Sequence, residues 1–93
     1  MQKVAVVTGS NRGIGLGIAL KLADDGYAVA GLGRSPFKEV KESIEKIEKK
    51  GVPVLYFSGD LSAAEDREKF CEKILDKLGK IDFLINNAGV APE

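Results

Sequence analysis

Short apolar runs alternate with longer stretches whose apolar residues recur at helical spacing, and this alternation constrains the chain more than any other feature. Lys3-Val4-Ala5-Val6-Val7-Thr8 is rich in β-branched residues and apolar on both faces, as a buried parallel strand requires. From Ile14, the residues Ile14, Ile18 and Leu22, with Ala19 and Ala23, form a helical stripe that Gly26 ends. Tyr27 to Leu32 reads as a second strand. Ser35 as N-cap and Pro36 at the first helical position then open a helix with the stripe Phe37, Val40, Ile44 and Ile47. Glu42 with Lys46 and Glu45 with Lys49 are i,i+4 pairs on its solvated side, and Gly51 closes it. Val52 to Phe57 is the third strand, and Pro53 near its start predicts a sheet edge. Ser62 and Glu65 form a capping box for a third helix with the stripe Phe70, Ile74, Leu75 and Leu78, which Gly79 ends. Ile81 to Ile85 is the fourth strand. The order βαβαβαβ with short connections specifies an α/β fold, a doubly wound parallel sheet of strand order 3-2-1-4. Right-handed crossovers put the first two helices on one face and the third on the other.

At 93 residues this is at most one small domain. Fourteen basic and fourteen acidic residues cancel, so no net field favours nucleic acid or an anionic membrane as partner. Its apolar runs fall far short of the roughly 20 residues of a membrane span. Met1-Gln2-Lys3 before the first strand is too short for a secretory signal, which makes a cytoplasmic chain the expectation. Histidine is absent and Cys71 is the single cysteine, which excludes an internal disulfide, a Cys/His zinc site and a Ser-His-Asp triad. With no base near it in sequence, Cys71 reads as a small packing residue in a helix.

The segment Thr8-Gly9-Ser10-Asn11-Arg12-Gly13-Ile14-Gly15 lies between the first strand and the first helix. There Gly9 permits a tight turn, Gly13 lets backbone approach a phosphate, and Gly15 lets helix pack closely on sheet. Free N–H groups near Ile14 and the helix dipole then favour a pyrophosphate. No Gly-Lys-Ser/Thr follows, so this is not a triphosphate P-loop, and Ile18 three residues after Gly15 breaks the GxGxxG spacing. A glycine-rich turn that holds nothing is the competing reading, and Gly31-Leu32-Gly33 is a pair of that kind that ends a strand. Asp60, after the third strand, either accepts from an adenine amino group or only initiates the next helix. Asn86 and Asn87 either form a plain turn with Ala88 and Gly89 or brace backbone against a bound ribose.

Taken together, TGSNRGIG, the Asp60-Leu61 pair and NNAG resemble the classical short-chain dehydrogenase/reductases. The likeness runs the length of the chain, including Gly79-Lys80-Ile81-Asp82-Phe83-Leu84-Ile85 leading into Asn86, and the spacing of Gly9 and Gly13 is that of the classical rather than the extended branch. This resemblance implies a Rossmann-type NAD(P)-binding fold, represented over residues 1–93 by its N-terminal part. It implies that Gly9, Gly13, Ile14 and Gly15 cradle the pyrophosphate and that Asp60 contacts adenine, with Ser10, Asn11, Arg12 and Leu61 among the cofactor-binding residues. Asn86, Asn87, Ala88 and Gly89 would support the cofactor and the central sheet.

An NAD site usually has a carboxylate at the end of the second strand to hold the ribose hydroxyls. Gly33 stands there, followed by Arg34. Glycine leaves room for a 2′-phosphate and a guanidinium grips it, with Arg12 as a second cation, so NADP(H) is favoured over NAD(H). Either arginine alone reads equally as a solvated surface residue. The catalytic serine, the Tyr-x-x-x-Lys pair and the helix asparagine implied by the resemblance lie beyond NNAG, and neither Tyr27 nor Tyr56 has lysine four residues on. The chain by itself is thus expected to be inactive and marginally stable or self-associating, with the fourth strand an exposed edge. Two functions remain open: an oxidoreductase acting on a small-molecule hydroxyl or carbonyl, homo-oligomeric at full length, and a non-catalytic dinucleotide-binding or redox-sensing module.

Overall fold

The computed structural model describes residues 2–8, 13–60 and 62–85, with the backbone alone for residues 13 and 14. Its elements alternate as β1 (Val4–Thr8), α1 (Gly13–Asp24), β2 (Ala28–Gly33), α2 (Phe37–Glu48), β3 (Val54–Ser58), α3 (Ala64–Leu78) and β4 (Phe83–Ile85). They form one parallel sheet of order β3-β2-β1-β4. This is the expected doubly wound topology, and Pro53 does precede an edge strand.

Both faces of the sheet are covered, which is why β1 and most of β2 are buried, and why they are apolar but for Thr8. On one face Val4, Val6, Ala28, Ala30 and Leu32 pack with Phe70 and Ile74 of α3. Opposite, Val7 and Val29 pack with Ala19 and Ala23 of α1 and Ile47 of α2. Small residues at the contacts let the helices lie close to the sheet. The C-terminus of α1 closes on Gly26 at φ 91°, where Tyr27 N–H donates to the Leu22 carbonyl and Gly26 N–H to that of Ala23. That pair of bonds satisfies the last carbonyls and needs a left-handed residue, which only glycine adopts cheaply. Gly51 and Gly79 end α2 and α3 in the same conformation.

Several local expectations are corrected. Ser35 is not the cap of α2: Pro36 holds that position in extended geometry, and the Ser35 carbonyl instead accepts the Tyr56 hydroxyl at 2.7 Å. The Ser62–Glu65 capping box does not form, because α3 is capped at Ala63 while both Ser62 donors turn back to Asp60. Neither Glu42–Lys46 nor Glu45–Lys49 closes to an ion pair; Lys50 instead reaches Asp24 at 2.8 Å and ties the ends of α1 and α2 together. Phe37 and Leu75 belong to their helical stripes by spacing but are exposed, as is Cys71, which is therefore no packing residue.

Strand limits also move. β2 runs one residue later than expected and β3 starts only after Pro53. β4 starts at Phe83 because Asp82 pairs with β1 differently: its N–H donates to the Val4 carbonyl at 2.9 Å, and its carboxylate accepts the Val4 N–H at 2.8 Å. Among the described residues nothing pairs with the outer edge of β4, and Leu84 is 65% exposed. Phe83 is half covered by Tyr27, with ring centres 5.7 Å apart. No described helix is long and apolar enough to cross a membrane.

Candidate functional site

In a parallel sheet every strand delivers its following loop to the same edge, so the βα junctions after β1, β2 and β3 converge. The register aligns them: Thr8 pairs with Leu32, Leu32 with Phe57, and Gly33 with Ser58. One further rung, Gly59 N–H to the Gly33 carbonyl at 2.8 Å, carries the pairing past the end of β3.

The residue that follows each strand is thereby placed. Arg34 lies beyond Gly33 with its side chain 79% exposed, and its Nη2 meets Asp60 Oδ1 at 3.2 Å. The same oxygen accepts the Ser62 N–H at 2.9 Å and the Ser62 hydroxyl at 2.8 Å, an Asx turn that orients the carboxylate. The Asp60 N–H donates to Asp66 Oδ2 at 2.7 Å, so the first turn of α3 fixes the backbone beneath the carboxylate. Asp60 Oδ2 has no partner among the described residues. The two Ser62 bonds chiefly, with the Arg34 charge adding, hold the Asp60 carboxyl below the usual carboxylate range. On the α2 side, the bond from Tyr56 anchors the segment that carries Arg34. Partial burial pushes the Tyr56 hydroxyl up, with the Glu39 charge adding.

Of the residues singled out in the sequence, Gly33, Arg34 and Asp60 are thus brought to one edge. Gly13, Ile14 and Gly15 occupy the first turn of α1, which holds no acidic residue to offset the partial positive charge of its N-terminus. Gly9, Ser10, Asn11, Arg12, Leu61, Asn86, Asn87, Ala88 and Gly89 lie outside the described residues. Spacing alone missed the Arg34–Asp60 pair and the supports Tyr56, Gly59 and Asp66. The Asp60-x-Ser62 turn was the one legible signal among them. No group of three or more metal-ligating side chains occurs among the described residues.

An exposed guanidinium, a carboxylate oxygen without a partner among the described residues and a helix start without acidic residues have the chemistry, respectively, to grip a phosphate, accept from an amine and donate to a pyrophosphate.

The model of the short chain dehydrogenase family matches residues 3–93. The chain is 41% identical over 91 residues to dehydrogenase/reductase SDR family member 4 of Caenorhabditis elegans, covering 97% of this chain and 35% of that protein. It is 38% identical over 91 residues to a 3-oxoacyl-(acyl-carrier-protein) reductase of Staphylococcus aureus, covering 97% of this chain and 37% of the other. The chain therefore spans little more than a third of the length of the curated relatives it matches. Among solved structures, 3-oxoacyl-(acyl-carrier protein) reductase from Brucella melitensis in complex with NAD superposes with a TM-score of 0.86 at 42% identity, over 96% of this chain and 34% of that one. L-Sorbose reductase from Gluconobacter frateurii, complexed with NADPH and L-sorbose, gives 0.89 at 36% identity over 98% of this chain and 35% of that one. Sequence motifs, strand order and superposition agree: the chain belongs to the short chain dehydrogenase family.

Proposed function

We propose that this chain forms the cofactor-binding part of an NADP(H)-dependent oxidoreductase that moves a hydride between nicotinamide and a small-molecule hydroxyl or carbonyl. The observation that carries the choice of cofactor is the end of β2, where Gly33 offers no carboxylate and the next residue is the exposed Arg34. A carboxylate there would repel a 2′-phosphate, whereas a guanidinium attracts it. Arg12 is the second cation proposed for that phosphate. In this reading Gly9, Ser10, Asn11, Gly13, Ile14 and Gly15 hold the pyrophosphate, Asp60 and Leu61 flank adenine, and Asn87, Ala88 and Gly89 support the ribose. The bound nicotinamide supplies the hydride; these residues bind and orient the cofactor.

The relatives bind either form of the cofactor, one solved with NAD and another with NADPH, so the preference rests on Gly33 and Arg34. Proton transfer to substrate is assigned to the serine and the Tyr-x-x-x-Lys pair that would follow NNAG, within the same domain. Residues 1–93 are then its N-terminal part, a cytoplasmic chain that acts as a homo-oligomer at full length. Intact mass of the protein as isolated from cells tests this: a species more than twice the mass of 93 residues supports it, and one matching 93 residues favours a binding or sensing module. Titration with both cofactors tests the preference. NADP(H) is expected to bind more tightly than NAD(H), and Arg34→Ala to remove about tenfold of that advantage. Equal binding unaffected by Arg34→Ala refutes it.

A further inference from the structure

Among the described residues, the Arg34 guanidinium meets the Asp60 carboxylate. We propose that Asp60 is a specificity-setting residue at this edge, competing with the cofactor's 2′-phosphate for the Arg34 guanidinium and so limiting the preference for the phosphorylated cofactor. The inference rests on the reading of Arg34 as the phosphate ligand.

Three observations carry it. First, the contact is a single bond of 3.2 Å from a side chain that is largely in water, so it is weak enough to be exchanged. Second, the carboxylate cannot follow the arginine. Its Oδ1 is held by both Ser62 donors and its own N–H by Asp66, so when the guanidinium turns to a phosphate, the negative charge stays behind. Third, the bond from the Tyr56 hydroxyl to Ser35 and the bond from Gly59 N–H to Gly33 fix the backbone on both sides of Arg34, which confines its charge to this corner of the edge. A phosphate drawn to Arg34 therefore arrives beside a fixed anion as well as a cation. A cofactor without that phosphate leaves the pair undisturbed and meets no repulsion.

Replacing Asp60 by asparagine removes the charge and keeps an oxygen for the Ser62 donors. Any contact of residue 60 with adenine is common to both cofactors and cancels in their ratio. The experiment uses adenosine 2′,5′-bisphosphate and adenosine 5′-monophosphate, which differ only in the phosphate of interest. Calorimetric titration of the chain gives the ratio of their affinities. Asp60→Asn should raise the preference for the bisphosphate threefold to tenfold, roughly the effect of one unscreened neighbouring charge. An unchanged or lowered ratio in Asp60→Asn, with Arg34→Ala still lowering it, overturns this inference and leaves the choice of cofactor standing. A wild-type chain indifferent to the 2′-phosphate, with Arg34→Ala also without effect, overturns the reading of Arg34 and the inference with it. A second measurement needs no variant. By carbon-detected NMR of the wild-type chain, the Asp60 titration midpoint should move up with the bisphosphate bound and stay lower with the monophosphate. Identical midpoints overturn the proposal.

Discussion

Ile74 and Leu75 are neighbours on α3 with opposite fates, and truncating each tests the packing of the sheet's α3 face. Ile74 is fully buried against Val4, Val6, Ala28, Ala30 and Leu32, whereas Leu75 is 54% exposed. Ile74→Ala removes about three methylene equivalents at about 0.8 kcal/mol each. A cavity penalty adds to this, because the methyl groups of the facing Ala28 and Ala30 cannot swing in and their backbone is fixed by the ladder. The sum is about 3–4 kcal/mol, within the range for buried large-to-alanine changes. A gain of about 0.4 kcal/mol in helix propensity offsets little of it. Leu75→Ala, already half in water, should cost under about 1 kcal/mol. With a urea slope of about 1.5 kcal/mol/M, the two midpoints should lie about 1.5–2 M apart. Urea unfolding followed by circular dichroism reads this directly. Ile74→Val, expected to cost about 1 kcal/mol, supplies a graded point if the alanine variant is too unstable to measure. Midpoints within about 0.3 M of each other, or a larger loss at Leu75, would refute the placement of α3 on the sheet.

Two further perturbations probe the support of the edge. In Gly59→Ala the new Cβ would stand 2.6 Å from the Phe57 ring and 3.1 Å from Asp66 Oδ2, so both must give way. A loss of about 1–3 kcal/mol in thermal unfolding is expected, with faster hydrogen exchange at the Asp60 amide, and an unchanged Tm contradicts it. Asp82 tests the junction of β4 with β1. The Val4 N–H chiefly, with Lys80 adding, lowers its carboxyl below the ordinary 3.8, so its contribution is fully present above that value and lost as pH falls through the lowered one. The Tm difference between wild type and Asp82→Asn should therefore be constant from about pH 8 to 5 and shrink below about pH 4, and a difference that persists to about pH 2 rules the linkage out.

The elements and their order were legible because a strand covered on both faces must be largely apolar, and Val4 to Val7 is the plainest case. Helix ends at Gly26, Gly51 and Gly79 were legible for the related reason that a left-handed residue is glycine's own niche. Caps were misread where a serine had a better partner elsewhere: Ser62 serves Asp60, and Ser35 serves Tyr56 through its carbonyl. Periodicity also overstates the buried stripe, because it cannot say how far the sheet extends beneath a helix. Leu75 and Phe37 share the helical spacing of their buried neighbours but are 54% and 52% exposed. At the site, residue types could be read as a cation after β2 and a carboxylate after β3. Their contact could not, since nothing in the spacing gives the alignment of one strand beside the other.

That alignment comes from the core. Arg34 and Asp60 are 26 residues apart in sequence and 3.2 Å apart in space because Gly33 pairs with Ser58 and Gly59 adds one rung. On β3, Leu55 and Phe57 turn to the α3 face and Val54 to the α1–α2 face. Sliding β3 by one residue would send each to the opposite side, taking Phe57 away from Phe70. The same slip would carry Asp60 along the edge by about 3.3 Å, enough to break its bond to Arg34. The apolar alternation that selects the register thus also sets the distance between the two charged groups. A substitution that weakens Phe57 packing should therefore change the ratio of affinities for the two nucleotides without touching either charge.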